Sequence, residues 1–529
     1  MLGINNYTKI QTMSVKILWA DDEIDLLKPH IFFLKEKGFE VLEAKSGDDA
    51  LEILEEEDHV DLVFLDENMP GLTGLETLQR IKSKNPTLPV IMITKSEEEE
   101  IMESAIGGQI SDYLIKPVNP SQILLSIKKN LDTLKLVSEK TTSNYQQEFR
   151  NIGMRLGDRL NNEEWVELYQ DMVYWEMELE KSGDDSMKEV FAMQKSEANA
   201  QFSKHVEKNY TNWIKNEEDA PLMSHRLLAN RVFPHINSER PVFLVVIDNL
   251  RYDHWKIIRP LLEQHYRVDS EEAYYGILPT ATQYARNAMF AGMMPSDIER
   301  TYPNLWVSEN DEGGKNMHEK DFLEGNLKRE GKHAKFSYNK ITNLANGKKL
   351  LQNLTNLMSN ELNVVVYNFV DMLSHARTEM EVIRELADDE AAYRSIAKSW
   401  FEHSALFDMM KIMAEKGCKV IVTTDHGSIK VGEPSKVQGD KNTNTNLRYK
   451  VGKALKYNSK DVLAVTNPID AGLPKQNVTS SYIFAKEDKF FAYPNNFNYY
   501  AGYYRDTFQH GGISLEECLI PYIELSPKK

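Results

Sequence analysis

At 529 residues the chain is longer than one hydrophobic core ordinarily supports, so two to four domains are expected. Hydrophobic content of 41% and charged content of 27% fit a globular protein, and a net charge of -18 argues against a sequence-independent binder of duplex DNA, which needs a basic footprint. No apolar run is long enough to cross a bilayer, no signal peptide is visible, and Cys418 and Cys518 make no disulfide framework, so a cytoplasmic protein without membrane insertion is expected. Met13 reads as the natural start.

Residues 15–20 read as a strand that delivers Asp21, Asp22 and Glu23, and residues 62–65 as a second that delivers Asp66. A third over 90–93 ends at Thr94, and a fourth ends near Tyr113, with Lys116 and Pro117 after it. Helical patterns cover 25–37, 47–56, 75–83 and 121–137, which predicts an α/β doubly wound parallel sheet with its polar residues gathered at strand C-terminal ends. Three clustered carboxylates repel one another unless a hard cation joins them.

Residues 14–137 resemble a response-regulator receiver domain, with the flavodoxin-like (βα)5 fold. The resemblance implies that Asp66, in L-D-E-N-M-P-G, accepts a phosphoryl group from a sensor histidine kinase. It also implies that Asp21, Asp22, Asp66 and the Asn68 carbonyl hold Mg2+, that Thr94 and Lys116 contact the phosphoryl group, and that Tyr113 is the switch aromatic. Phosphorylation-dependent homodimerisation through the fourth helix, fifth strand and fifth helix is implied as well. Lys95 departs from the small residue usual after the switch threonine, and its effect is expected on dephosphorylation. Residues 97–100 form a charge run that reads as a solvated helix start.

Residues 138–235 show no strand pattern. Trp165, Leu168, Tyr169, Met172, Trp175 and Leu179 recur at helical spacing, and Val190, Met193, Phe202, Val206 and Trp213 continue the stripe. A central helical bundle is expected, with the stripe as its core and a transmission role between the flanking domains.

From 236 to 529 strands and helices alternate again. A strand over 242–247 stops at Asp248, and one over 364–370 stops at Asp371, four residues before His375. A third, from 421, delivers Asp425 and His426. Residues 278–282 read L-P-T-A-T with Thr280 at the centre, and His510 precedes Gly511, Gly512 and a helix start at Ser514. Asp248, Thr280, Asp371, His375, Asp425, His426 and His510 together fit two metal ions spaced about 3.5–4 Å apart. Mixed imidazole and carboxylate ligands favour Zn2+, with Mn2+ next, and coordination would activate Thr280 as a nucleophile.

This order resembles the PglZ branch of the alkaline phosphatase superfamily, which implies an α/β/α phosphohydrolase with two zinc ions. A receiver joined through helices to such a domain resembles the PorX-type response regulators associated with type IX secretion in Bacteroidetes. Sigma-factor or secretion-system partners follow from that resemblance. The polar loop over 430–450, with Lys436, Lys441, Arg448 and Lys450, is expected to gather anions, and the aromatic residues over 493–508 beside Arg505 form a stacking surface or a packed hairpin. Two functions stand side by side: a phosphodiesterase acting on nucleotides or oligonucleotides, and a non-catalytic, phosphorylation-dependent docking regulator.

Overall fold

The structure is a computed structural model that describes residues 15–57, 59–95, 110–182, 185–236, 240–309, 311–380, 386 and 389–528. The expected helix start at 97–100, and with it the fourth receiver helix, lies outside the described residues. The chain divides into two compact units, Met1–Gln147 with Glu178–Met187, and Glu148–Met177 with Lys188–Lys529. Residues 138–235 contribute to both units.

In the first unit, strands β1 (Lys16–Ala20), β2 (Glu40–Ala44), β3 (Leu62–Leu65), β4 (Val90–Thr94) and β5 (Asp112–Ile115) pair in parallel in the order β2-β1-β3-β4-β5. Every residue of β3 and β4 is buried, as in a parallel sheet covered on both faces. Alternation sends Leu18, Val63 and Leu65 to one face and Trp19, Leu62 and Phe64 to the other, each into its own apolar cluster. Ser46 caps the helix Gly47–Glu56, and Thr73 with Glu76 forms a reciprocal capping box on Gly74–Lys84. The sequence reading missed β2, whose E-V-L-E-A pattern mixes charge and apolar residues because it is the sheet's edge strand. The helix expected to end at 137 continues over Pro120–Gly157.

The second unit holds a six-stranded sheet. Its strands are β6 (Val242–Ile247), β7 (Tyr266–Tyr275), β8 (Phe336–Ile341), β9 (Leu362–Tyr367), β10 (Lys419–Thr423) and a closing strand, Leu519–Pro527. The order is β7, closing strand, β10, β6, β9, β8, with β10, β6, β9 and β8 parallel and the closing strand antiparallel to both its neighbours. All six apolar side chains of β6 are buried, each worth about 1.5–3 kcal/mol of transfer free energy. The central strands therefore fix where their C-terminal loops emerge. The long helices contribute Trp165, Tyr169, Phe202 and Trp213 to the interior, with the Trp165 and Phe202 rings 5.4 Å apart, so the aromatic stripe is core. Met193, at 67% exposure, does not belong to it.

Candidate metal centre

Two groups of potential ligands form in the second unit, and they share one imidazole. Asp248, Asp425 and His426 place ligand atoms within 4.8 Å of one another, and so do Asp371, His426 and His510. β6 ends immediately before Asp248, and β10 ends two residues before Asp425, so parallel register brings both carboxylates to one sheet edge. Asp371 lies in the first turn of the helix Phe369–Glu379, beyond the end of β9 rather than at a strand end as expected. His375 belongs to that helix, but its side chain lies outside the described residues.

The imidazoles are oriented by backbone carbonyls. His426 Nδ1 donates to the Gly427 carbonyl at 3.1 Å, and His510 Nδ1 donates to the Thr280 carbonyl at 3.1 Å. Both rings thereby keep Nε2 as the coordinating nitrogen, a common arrangement of outer-shell support. They stack with centroids 4.2 Å apart, and His510 Nε2 lies 3.6 Å from Asp371 Oδ1.

The electrostatics suit a cation. Asp425 Oδ2 is a buried carboxylate oxygen without a hydrogen-bond partner, and its nearest cationic atom is Arg286 Nη1 at 3.6 Å. Burial, reinforced by Asp248, pushes the Asp425 carboxyl well above the usual range. Burial pushes Asp248 up too, but the charge and hydrogen bond of Arg286 lead the opposing influences and that carboxyl stays low. Burial lowers the His426 imidazole and keeps it neutral, the form in which it binds metal. Two buried acids, one with an oxygen that has no hydrogen bond, and a neutral imidazole therefore fit divalent ions.

The threonine expected at the centre is not the one that faces it. Thr280 Oγ1 donates to the Gly512 carbonyl at 2.9 Å and accepts from Gly511 N at 3.0 Å, so its hydroxyl is committed to the loop after His510. Thr282 Oγ1 instead donates to His426 Nε2 at 2.9 Å and lies 3.4 Å from Asp248 Oδ1. Thr282 opens the helix Thr282–Ala291, after Ala281 at the cap, where N-terminal amides favour negative charge. Sequence reasoning also missed Arg286, one helical turn beyond Thr282. It is buried, 2.7 Å from Asp248 Oδ2 and 2.5 Å from Glu319 Oε1. The available signal was a lone arginine at i+4 in an otherwise uncharged T-Q-Y-A-R-N-A-M-F-A run.

The surrounding loops differ from expectation in two places. Arg448 is buried against Glu517 and Lys450 donates to the Asn444 carbonyl at 2.8 Å, so neither is free to gather anions. Lys441 does line an open cavity of about 480 Å³ with Glu309 and residues 442–445. Residues Phe497–Tyr504 form a helix rather than a hairpin, with Tyr499 and Tyr503 stacked at 6.1 Å.

In the first unit, Asp21, Asp22 and Asp66 place carboxylate oxygens within 4.8 Å of one another. Lys116 Nζ bridges Asp21 Oδ2 at 2.7 Å and Asp66 Oδ2 at 2.8 Å. Burial is the largest influence on Asp66 and leaves its carboxyl raised despite Lys116. Thr94 is buried at the end of β4, Tyr113 is half-buried on β5, and Asn68 is exposed in the loop after Asp66. Lys95 reaches across to Glu23 at 2.6 Å.

Comparison with known proteins gives three family matches. Residues 227–525, more than half of the chain, match the BREX system PglZ alkaline phosphatase-like domain; residues 135–214 match the PorX response regulator linker domain; residues 17–128 match the response regulator receiver domain. The chain is 36% identical over 95 residues to a cyclic di-GMP phosphodiesterase of Thermotoga maritima, covering 18% of this chain and 25% of that protein. It is 34% identical over 118 residues to the transcriptional regulatory protein ResD of Bacillus subtilis, covering 22% of this chain and 48% of that protein. The chain thus spans a quarter to about half the length of these curated relatives. A receiver domain structure from Clostridium thermocellum is 33% identical, covering 23% of this chain and 98% of that one, with a TM-score of 0.22.

Proposed function

Because the chain belongs to the PglZ alkaline-phosphatase-like family, in a PorX-type arrangement of receiver, linker and PglZ domains, we propose a response regulator whose effector is a two-zinc phosphodiesterase. Asp66 accepts the phosphoryl group from a sensor histidine kinase, with Mg2+ held by Asp21, Asp22, Asp66 and the Asn68 carbonyl. Phosphorylation drives homodimerisation, and the output serves type IX secretion. Sedimentation equilibrium with and without a phosphoryl mimic tests the dimer: the mass should double, and an unchanged mass removes it.

The observation that carries the catalytic reading is the Thr282 hydroxyl, 2.9 Å from His426 Nε2 inside the ligand cluster. Zinc held by Asp248, Asp425 and His426 on one side, and by Asp371, His375 and His510 on the other, would lower the hydroxyl pKa and neutralise the departing oxygen. Thr282 Oγ1 attacks phosphorus in line with the leaving alkoxide; the P–O bond to the leaving group breaks as the Thr282 O–P bond forms. Water then releases the phosphoryl group from Thr282. Arg286 holds Asp248 in place while the helix N-terminus faces the anionic substrate. The expected substrate is a nucleotide or oligonucleotide diester.

Thr282→Ala should reduce hydrolysis of bis(4-nitrophenyl) phosphate and of short oligonucleotides by about 10³-fold or more while metal content holds. Thr280→Ala should retain turnover within about tenfold and lower the melting temperature. Turnover by Thr282→Ala equal to wild type would remove Thr282 as the nucleophile; absence of turnover by metal-loaded wild type would leave the docking-regulator reading; a preference for aryl monoesters would remove the diester assignment.

A further inference from the structure

One polar stripe runs along the linker helix Asp185–Lys215, at Lys195, Asn199, Ser203 and, two turns later, Tyr210. All the partners below lie in the second compact unit. Polar groups this deep are costly unless each has a directional partner, and apolar residues would serve packing alone as well or better. Apart from Glu176 on the neighbouring linker helix, the partners below come from a few short segments of the catalytic domain.

Tyr210 OH accepts from the backbone N–H of Leu278 at 2.8 Å, four residues ahead of Thr282. Ser203 Oγ donates to the Ile513 carbonyl at 3.3 Å, three residues after His510, and accepts from Glu487 N at 3.4 Å. Asn199 Oδ1 accepts from Leu515 N at 2.8 Å, and its Nδ2 donates to Glu516 Oε2 at 3.2 Å. Lys195 Nζ sits between Glu516 Oε1 at 3.0 Å and Glu176 Oε2 at 3.1 Å. The Glu516–Glu517 backbone in turn presses on the residue after His426. Gly427 N donates to the Glu517 carbonyl at 3.3 Å, and a Cβ at Gly427 would lie 1.9 Å from the Glu516 carbonyl oxygen.

A single helix face thus touches the approach to Thr282, the exit from His510 and the turn against His426. We infer that Tyr210, Ser203, Asn199 and Lys195 are positioning residues: the linker helix sets the spacing of the nucleophile and two metal-binding imidazoles. The inference rests on the catalytic reading above. It makes the linker part of the active-site scaffold, so a shift of this helix moves Thr282 relative to His510 and His426. Misplacement by about 1 Å is enough to cost on the order of 10²-fold in rate.

The test uses full-length protein loaded with Co2+, whose visible spectrum reports ligand geometry, together with kcat and KM for bis(4-nitrophenyl) phosphate. Tyr210→Phe removes one acceptor with little change of volume, and Asn199→Ser shortens the contact to Leu515 and Glu516. Each should lower kcat about tenfold with KM within about twofold, and each should alter the Co2+ spectrum. Phe202→Leu, an apolar change on the same helix, should lower the melting temperature and leave kcat and the spectrum as in wild type. The inference is overturned if Tyr210→Phe and Asn199→Ser keep wild-type spectra and kcat within about twofold, or if Phe202→Leu perturbs both equally. Should wild-type protein hydrolyse no diester, the catalytic reading fails, and the Co2+ spectra decide the positioning claim alone.

Discussion

The acidic pocket of the receiver and the acidic centre of the PglZ domain solve the same electrostatic problem in opposite ways. In the receiver, Lys116 already spans Asp21 and Asp66, and Asp22 stays exposed. There a lysine of the chain itself offsets two of the three acids. In the PglZ domain, Asp248, Asp425 and His426 are buried, Arg286 is shared with Glu319, and Asp425 Oδ2 has no hydrogen bond. That centre is built for resident ions, and the difference is open to attack from several directions.

The largest expected effect is that of Arg286→Ala. Leaving Asp248 and Asp425 buried without this guanidinium, with Glu319 keeping only the Lys340 cation, should cost the metal-free second unit about 3–5 kcal/mol, with receiver melting unchanged. Calorimetry that resolves two transitions checks this, and equal loss in both units would erase the contrast. Chelation comes next. Stripping wild-type protein with a strong chelator should lower the stability of the second unit by about 3–4 kcal/mol for each zinc site, the linkage expected of a site filled at 100–1,000 times its Kd. Removing Mg2+ should leave receiver melting nearly unchanged because Lys116 remains.

Acidification gives a smaller, graded effect. Burial holds His225 at a pKa of about 4 and His254 at about 3, against 6.5 for the free side chain. The unfolded chain therefore takes up protons below pH 6.5 that the folded chain refuses. The stability these groups supply is complete above pH 6.5 and is lost as pH falls toward their folded values, each at about 1.4 kcal/mol per pH unit. His254→Gln should remove one such proton from the slope of stability against pH between 6.5 and 4; an unchanged slope contradicts the assignment. Smallest is the effect of Lys95, whose pair with Glu23 is exposed. Lys95→Ala should speed loss of the phosphoryl group from Asp66 by about twofold to fivefold, measured by decay of the phosphorylated species.

The same contrast explains what could be read from sequence. Receiver residues arrive one per strand end within about a hundred residues, so alternation alone gathers Asp21, Asp66, Thr94 and Lys116. The edge strand Glu40–Ala44 escaped because only Val41 and Ala44 are buried, one on each face of the sheet. In the PglZ domain, strand ends identified Asp248, Asp425 and His426, but Thr280 and Thr282 stand two apart in L-P-T-A-T. Both are β-branched, both follow the same proline, and only the point where extended chain becomes helix decides which hydroxyl turns inward. Arg448 and Lys450 likewise looked solvated in a polar loop, yet tertiary partners bury them. Arg286 carried no motif at all. Its role depends on Glu319 and Asp248, which a linear reading does not place side by side.

The closing strand carries a consequence for biosynthesis. Leu519–Pro527 lies between β7 and β10, so until the ribosome has added those residues the two strands have no ladder to join them. The receiver sheet, complete by residue 115, can form early during translation. The PglZ sheet must wait for residues 519–527, with β7 and β10 presenting raw edges meanwhile. A nascent chain released before this last strand emerges would carry a signal-accepting head on an effector that never zipped shut.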